Sequence, residues 1–189
     1  MSQILVINGN PKQRSFCGQL AEVYFSVAAN NHDVRMCHMS DLAFNSSLDG
    51  GYDEEQALEP CLLAFQKDIL WANHVVIVAP VWWGSIPAKL KGLLDRTLLP
   101  GFAFKYESGN PLPISLLQGK SLQLFLTLDT PVEYYLNEQK APAVYQLDVC
   151  TFQYCGFEPA ECHYIGPVSG STEVSRTMWE AQVSRAVLL

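Results

Sequence analysis

The sequence predicts a doubly wound α/β domain: a five-stranded parallel sheet in the order 2-1-3-4-5 with helices on both faces. Three observations carry this. Strand-like and helix-like patterns alternate along the whole chain, with no linker, repeat or low-complexity tract between them. Two runs, Gln3–Asn8 and residues 74–79, are apolar almost throughout, as strands covered on both faces must be. Each is broken at once, by Gly9-Asn10-Pro11 and by Pro80. Loops therefore open at the carboxyl ends of two central strands, where ligands bind in such sheets.

In chain order, the first strand leads into a helix whose apolar positions Phe16, Leu20, Val23, Tyr24 and Val27 fall on one face, with Ser15 placed as its N-cap. Asp33–His38 alternates as a shorter strand, and the polar, glycine-containing residues 45–55 read as a loop. Leu58, Leu62, Phe65 and Ile69 mark the second helix, with Pro60 tolerated in its first turn. The strand at 74–79 is followed by a helix with Leu90, Leu93, Leu94, Thr97 and Leu98 on its buried face, ended by Pro100-Gly101. Residues 122–127 form the fourth strand, 143–154 a fourth helical segment, 161–165 the fifth strand and 173–187 the last helix.

A single domain over residues 1–189, about half apolar, buries a sizeable core without covalent staples. With 12 basic against 19 acidic residues the net charge is −7, which argues against nucleic acid as a partner. The cations Lys12/Arg14 and Lys89/Lys91/Arg96 form groups too small to track a polyanion. No stretch has the length of a transmembrane segment and no signal peptide is visible, so a cytoplasmic protein is expected. The six cysteines lack any C-x-x-C pair and read as buried free thiols rather than a zinc or disulfide framework. The four histidines are scattered, so no metal site is expected.

Two loops carry chemistry. Asn10-Pro11-Lys12-Gln13-Arg14-Ser15 sets two cations and a hydroxyl at the start of a helix, an anion site in outline, with the amides of Ser15, Phe16 and Cys17 as donors. It is neither a Walker loop nor a G-x-G-x-x-G turn. The run Pro80-Val81-Trp82-Trp83-Gly84-Ser85-Ile86-Pro87 sets two tryptophans and a glycine between two prolines, a rigid apolar shelf for a planar ring. An isolated tryptophan pair is more often core. Here the pair follows a buried strand beside the anion loop. A third loop, Asp129-Thr130-Pro131 with Tyr134 and Tyr135, follows the fourth strand. Phe102, Phe104 and Tyr106 alternate on a loop too short for a core of its own and predict an exposed apolar surface. Trp71 and Trp179 fall on helices as packing residues.

By Asn8-Gly9-Asn10-Pro11 with Ser15-Phe16, the 80–88 loop with Lys91-Gly92-Leu93-Leu94-Asp95-Arg96, and Leu99-Pro100-Gly101-Phe102-Ala103-Phe104, the chain resembles the NAD(P)H quinone dehydrogenases of flavodoxin-like fold, the DT-diaphorase and drug-activity-modulator relatives. The resemblance covers nearly the whole chain. It implies a flavin, FMN or FAD, lying across the three loops, its phosphate on Arg14, Ser15, Phe16 and Cys17 beside Asn10. The ring would lie against Pro80, Val81, Trp82, Trp83 and Gly84, and any adenine would meet loop residues such as 45–52. Many members have Thr-Thr-Gly-Gly where this chain has Asp129-Thr130-Pro131, so Asp129 and Thr130 stand as candidates for that edge of the flavin. Tyr134 or Tyr135 takes the place of the family's catalytic tyrosine, while no histidine nearby matches its histidine. The implied activity is ping-pong, two-electron transfer from NAD(P)H to a quinone or similar acceptor, in a homodimer that uses the region around Phe102. Two other functions share the fold: a flavodoxin-type electron carrier, and a regulatory flavoprotein subunit of a potassium-efflux system.

Overall fold

The computed structural model describes residues 1–187. Five parallel strands form one sheet in the order β2-β1-β3-β6-β7: β1 Gln3–Asn8, β2 Asp33–His38, β3 His74–Pro80, β6 Ser121–Thr127 and β7 Glu161–Ile165. This is the 2-1-3-4-5 arrangement expected from the sequence. A two-residue hairpin, β4 Phe104–Lys105 with β5 Ile114–Ser115, stands apart from it. Such short strands leave no periodic signal, and the sequence did not reveal them.

Alternation along β1 and β3 sends side chains to two cores. Leu5, Ile7, Val75, Ile77 and Ala79 pack under α2 (Pro60–Trp71) and α3 (Ala88–Thr97). Ile4, Val6, Val76 and Val78 pack under α1 (Phe16–Ala28) and α6 (Glu173–Arg185). The two wide aliphatic faces fix the register, because a one-residue slip would exchange them.

Three elements differ from expectation. The helical segment expected over 143–154 is present as α5 (Pro142–Leu147) running on into a π-helical turn, Asp148–Gln153, but an unexpected short helix, α4 (Val132–Asn137), precedes it, with Lys140 and Ala141 at left-handed φ values of 61° and 46° between the two. Leu58 lies before α2 rather than within it, and α6 stops at Arg185. Arg96 is no surface cation. It is fully buried, its guanidinium donating to the carbonyls of Asn45 and Ala57 (2.9 Å to the latter) and meeting Glu59 Oε2 at 3.0 Å, so it ties the 45–59 loop to α3. Among the described residues no helix is long and apolar enough to cross a membrane.

Candidate functional site

The loops after β1, β3 and β6 meet at the carboxyl end of the sheet. Gly9 closes β1 where a Cβ would stand 2.7 Å from the Leu90 Cδ2 methyl and 3.0 Å from Ala79 Cβ, so any side chain here would displace the Leu90 side chain that α3 lays on the sheet. Beyond it a relay of side chains shapes the anion loop. Asn8 Oδ1 accepts from the Asn10 amide (3.2 Å), and Asn10 Oδ1 accepts from the Lys12 amide (3.0 Å). Asn10 Nδ2 donates to Cys17 Sγ (3.8 Å), itself 3.3 Å from Thr127 Oγ1. Burial pushes the Cys17 thiol up, so it stays a neutral bridge. Ser15 caps α1 by accepting from the Gly18 amide at 3.1 Å, while the amides of Phe16 and Cys17 have no carbonyl behind them in the first turn. Lys12 and Arg14 are exposed and, among the described residues, have no carboxylate partner.

These residues line a groove of about 760 Å³ whose other wall is α6. The Arg176 guanidinium stands 5.2 Å over the Phe16 ring, and its Nε donates to Ser171 Oγ at 3.0 Å. Glu22, Glu180 and His38 complete the outer wall. The groove thus leads toward α6 and β2. Of the residues 45–52 expected to meet any adenine, Leu48, Gly51 and Tyr52 line a separate groove together with Leu99 and Pro100.

The aromatic shelf is a tight turn. Val81 donates to the Thr127 carbonyl, and Trp82 and Ser85 exchange both main-chain bonds at 2.9 and 3.0 Å. Both central residues are left-handed, Trp83 at φ 53° and Gly84 at φ 75°. For tryptophan that conformation costs about 1–2 kcal/mol. Trp83 is wholly exposed and Trp82 about half (47%), so neither is core. Pro80 is buried as the last residue of β3 and sets the turn from within the sheet instead of facing a ligand. Ser85 Oγ donates to Gln146 Oε1 at 2.7 Å, and Gly84 faces Pro142 so closely that a Cβ would lie 3.3 Å from its ring. Val81, Trp83, Gly84, Leu128, Thr130 and Gln139 surround a shallow groove.

The third loop is held by its neighbours. Leu128 donates to Ile165 (2.8 Å) and accepts from Val168 (2.7 Å), and Asp129 Oδ1 accepts from the Ser169 amide (2.8 Å). Thr130 is half-buried at the groove. The two tyrosines separate. Tyr134 is half exposed, whereas Tyr135 is fully buried, its hydroxyl accepting from the Ala143 amide at 3.2 Å, and burial pushes its ionisation up. Tyr135 is therefore a packing residue, and of the two candidates for the catalytic tyrosine only Tyr134 is exposed.

A family model described as "Flavodoxin-like fold", Flavodoxin_2, matches residues 2–186. The chain belongs to this family. It is 38% identical over 104 residues to a protein of Haemophilus influenzae named "Uncharacterized NAD(P)H oxidoreductase", covering 53% of this chain and 49% of that protein. It is 37% identical over 101 residues to the human ribosyldihydronicotinamide dehydrogenase [quinone], covering 49% and 41%. It is 32% identical over 136 residues to FMN-dependent NADH:quinone oxidoreductase 2 of Pseudomonas fluorescens, covering 64% and 67%. The chain thus spans about half the length or less of the first two relatives. In fold it is similar to the Smu.1420 protein of Streptococcus mutans (TM-score 0.82, 20% identity, 96% of each chain). It is similar again to the NAD(P)H:quinone oxidoreductase of Methanothermobacter marburgensis (TM-score 0.80, 17% identity, 98% and 96%).

Within this flavodoxin-like frame, the structure brings together residues the sequence left apart. Arg176, Gln139 and Pro142 line the grooves but come from distant segments with no local motif. Phe104, expected on an exposed surface, is buried, with Tyr106 at 5.6 Å and Tyr154 at 5.2 Å packed edge-on against it. Only Tyr106 of the three predicted aromatics is largely exposed; Phe102 is partly buried. Contact with Tyr106 and burial push the Tyr154 hydroxyl up to about 12. Cys150 is exposed beside this cluster, unlike the buried thiols Cys17, Cys37 and Cys155.

Proposed function

We propose that this chain is a flavin-dependent NAD(P)H oxidoreductase that reduces quinones or similar acceptors by two electrons. The observation that carries this reading is the meeting of a cationic helix start and a strained, solvent-facing tryptophan turn at one end of the sheet. The donor set fits a flavin: Lys12, Arg14, Arg176 and the first-turn amides of α1 for phosphate, and the Val81–Gly84 turn with Leu128 and Thr130 for a flat ring. The names of the Haemophilus and Pseudomonas relatives support the same activity. A flavin held by these residues would supply the hydride-transfer chemistry between NAD(P)H and the acceptor.

The protein's share is positioning and electrostatics. The relay from Asn8 through Asn10 to Lys12 holds the anion loop before any ligand arrives. Exposure of Trp83 leaves an indole face for a ring, worth about 0.5–1.5 kcal/mol beyond area burial. Tyr134 is the half-exposed one of the two tyrosines after β6 and the one that donates a hydroxyl in this reading. The exposed Tyr52, Tyr106 and Tyr154 around Phe104 favour a homodimer through this face. An NAD(P)H donor and six unpaired thiols favour the cytoplasm.

The test is an absorption spectrum of the purified protein mixed with FMN or FAD, followed by anaerobic NADPH and then menadione. Bleaching by NADPH and recovery with quinone are expected. A flavin bound but not reduced by NADPH or NADH would favour an electron carrier or a regulatory subunit, and no flavin bound would remove the reading. Light scattering at micromolar concentration is expected to give a dimer; a monomer overturns that part alone.

A further inference from the structure

His38 ends β2, outside the anion loop, yet it faces the side chain from which that loop hangs. Its Nδ1 lies 3.2 Å from Asn8 Nδ2, and its Nε2 lies 3.4 Å from the Glu22 carboxylate. The bonding of Asn8 fixes which way these groups act. Asn8 Oδ1 is taken by the Asn10 amide, a group that can only donate. The amide nitrogen of Asn8 must therefore point at His38 and donate to it. Nδ1 is then an unprotonated acceptor, and the ring proton sits on Nε2, directed at Glu22.

The space around Asn8 is kept for this orientation. Gly18, in the first turn of α1, stands where a Cβ would come within 3.2 Å of Asn8 Nδ2 and 3.4 Å of the capping Ser15 Oγ. A chain of four hydrogen bonds results. His38 Nδ1 orients Asn8, Asn8 Oδ1 holds the Asn10 amide, Asn10 Oδ1 holds the Lys12 amide, and Asn10 Nδ2 reaches the Cys17 thiol bridge to β6. Asn8 and Asn10 are buried, so an amide turned the wrong way would set donor against donor with no water to relieve it.

We propose that His38 is a positioning residue for the anion site. As an acceptor at the edge of β2 it selects the Asn8 orientation that keeps the Asn10–Cys17 segment shaped to receive a phosphate. The part concerning ligand affinity rests on the flavin reading above. The part concerning loop order does not.

Two variants separate acceptor from bulk. His38→Asn keeps an acceptor oxygen near the Nδ1 position and drops the contact with Glu22, while His38→Leu keeps volume and drops the acceptor. Amide hydrogen exchange of Asn10 and Lys12 in the flavin-free protein is measured by NMR, and FMN and FAD affinity by fluorescence titration. His38→Leu is expected to speed exchange of both amides about three- to tenfold and to weaken flavin binding by a similar factor; His38→Asn is expected to restore both to within about twofold. Unchanged exchange in His38→Leu, or a His38→Asn protein that behaves like it, overturns the proposal. So does unchanged flavin affinity in His38→Leu when the wild type binds flavin. If the wild type binds neither flavin, the functional reading fails and the exchange rates alone decide the role of His38. Should His38→Leu not fold, His38→Thr, a good strand former too short to reach Asn8, carries the same expectations.

Discussion

Val81 donates its main-chain amide to the carbonyl of Thr127 at 2.9 Å, one step beyond the last paired residues of β3 and β6. The sheet ladder thus continues into the loops, and the tryptophan turn starts from a fixed root. That root allows Trp83 to be held at φ 53° with its indole in solvent. Trp83→Gly is expected to relieve the backbone and leave stability equal to wild type or higher by up to about 1 kcal/mol, measured by urea denaturation. The same variant is expected to weaken flavin binding roughly two- to tenfold through lost stacking. Trp83→Val, β-branched in a left-handed position, is expected to destabilise instead.

Arg14 is exposed on the anion loop and, among the described residues, has no carboxylate partner. Arg14→Ala is expected to leave the melting temperature within about 2 °C and to weaken flavin affinity about tenfold or more in a titration. An unchanged affinity would remove Arg14 from the site.

Arg96 serves the fold. Arg96→Met leaves the carbonyls of Asn45 and Ala57 without their donor inside the loop. A fall in melting temperature of roughly 5–10 °C is expected, with protease cleavage appearing between residues 45 and 59.

His74 predicts an acid limb in the stability curve. It lies buried between Tyr24 Oη (3.3 Å) and Ser121 Oγ (2.7 Å), and desolvation, the chief cause, lowers its pKa. The unfolded chain, with histidine near 6.5, then binds a proton more readily than the native one. The stability owed to neutral His74 is complete above about pH 6.5 and is lost as pH falls from there toward the lower folded value, at up to about 1.4 kcal/mol per unit. The urea midpoint should drop between pH 7.5 and 5.5, and the drop should shrink in His74→Gln. An equal drop in both proteins would assign the acid limb to other groups.

Sheet and loops were legible in the sequence because β1 and β3 are unbroken aliphatic runs ended by glycine or proline, a pattern that depends on little but burial. The break between α4 and α5 was not, since Lys140 and Ala141 hold left-handed conformations that neither residue announces. The sequence places Tyr134 and Tyr135 side by side on the loop after the fourth strand; which one is buried depends on the Ala143 amide beyond the turn. Arg96 reads as one more cation in a basic helix, and the carbonyls of Asn45 and Ala57 with the Glu59 carboxylate, on a loop that precedes it by a helix and a strand, draw it inside. Arg176 belongs to the site because α6 packs beside α1, a relation with no local trace.

The shared wall of α1 and α6 has a bearing on stability. Lys12 and Arg14 stand on one side of the groove and Arg176 and Glu180 on the other, so the groove exists only while α6 is docked beside α1. An anionic ligand seated there engages both walls at once. Its binding energy therefore favours the docked state over any in which the two helices have parted.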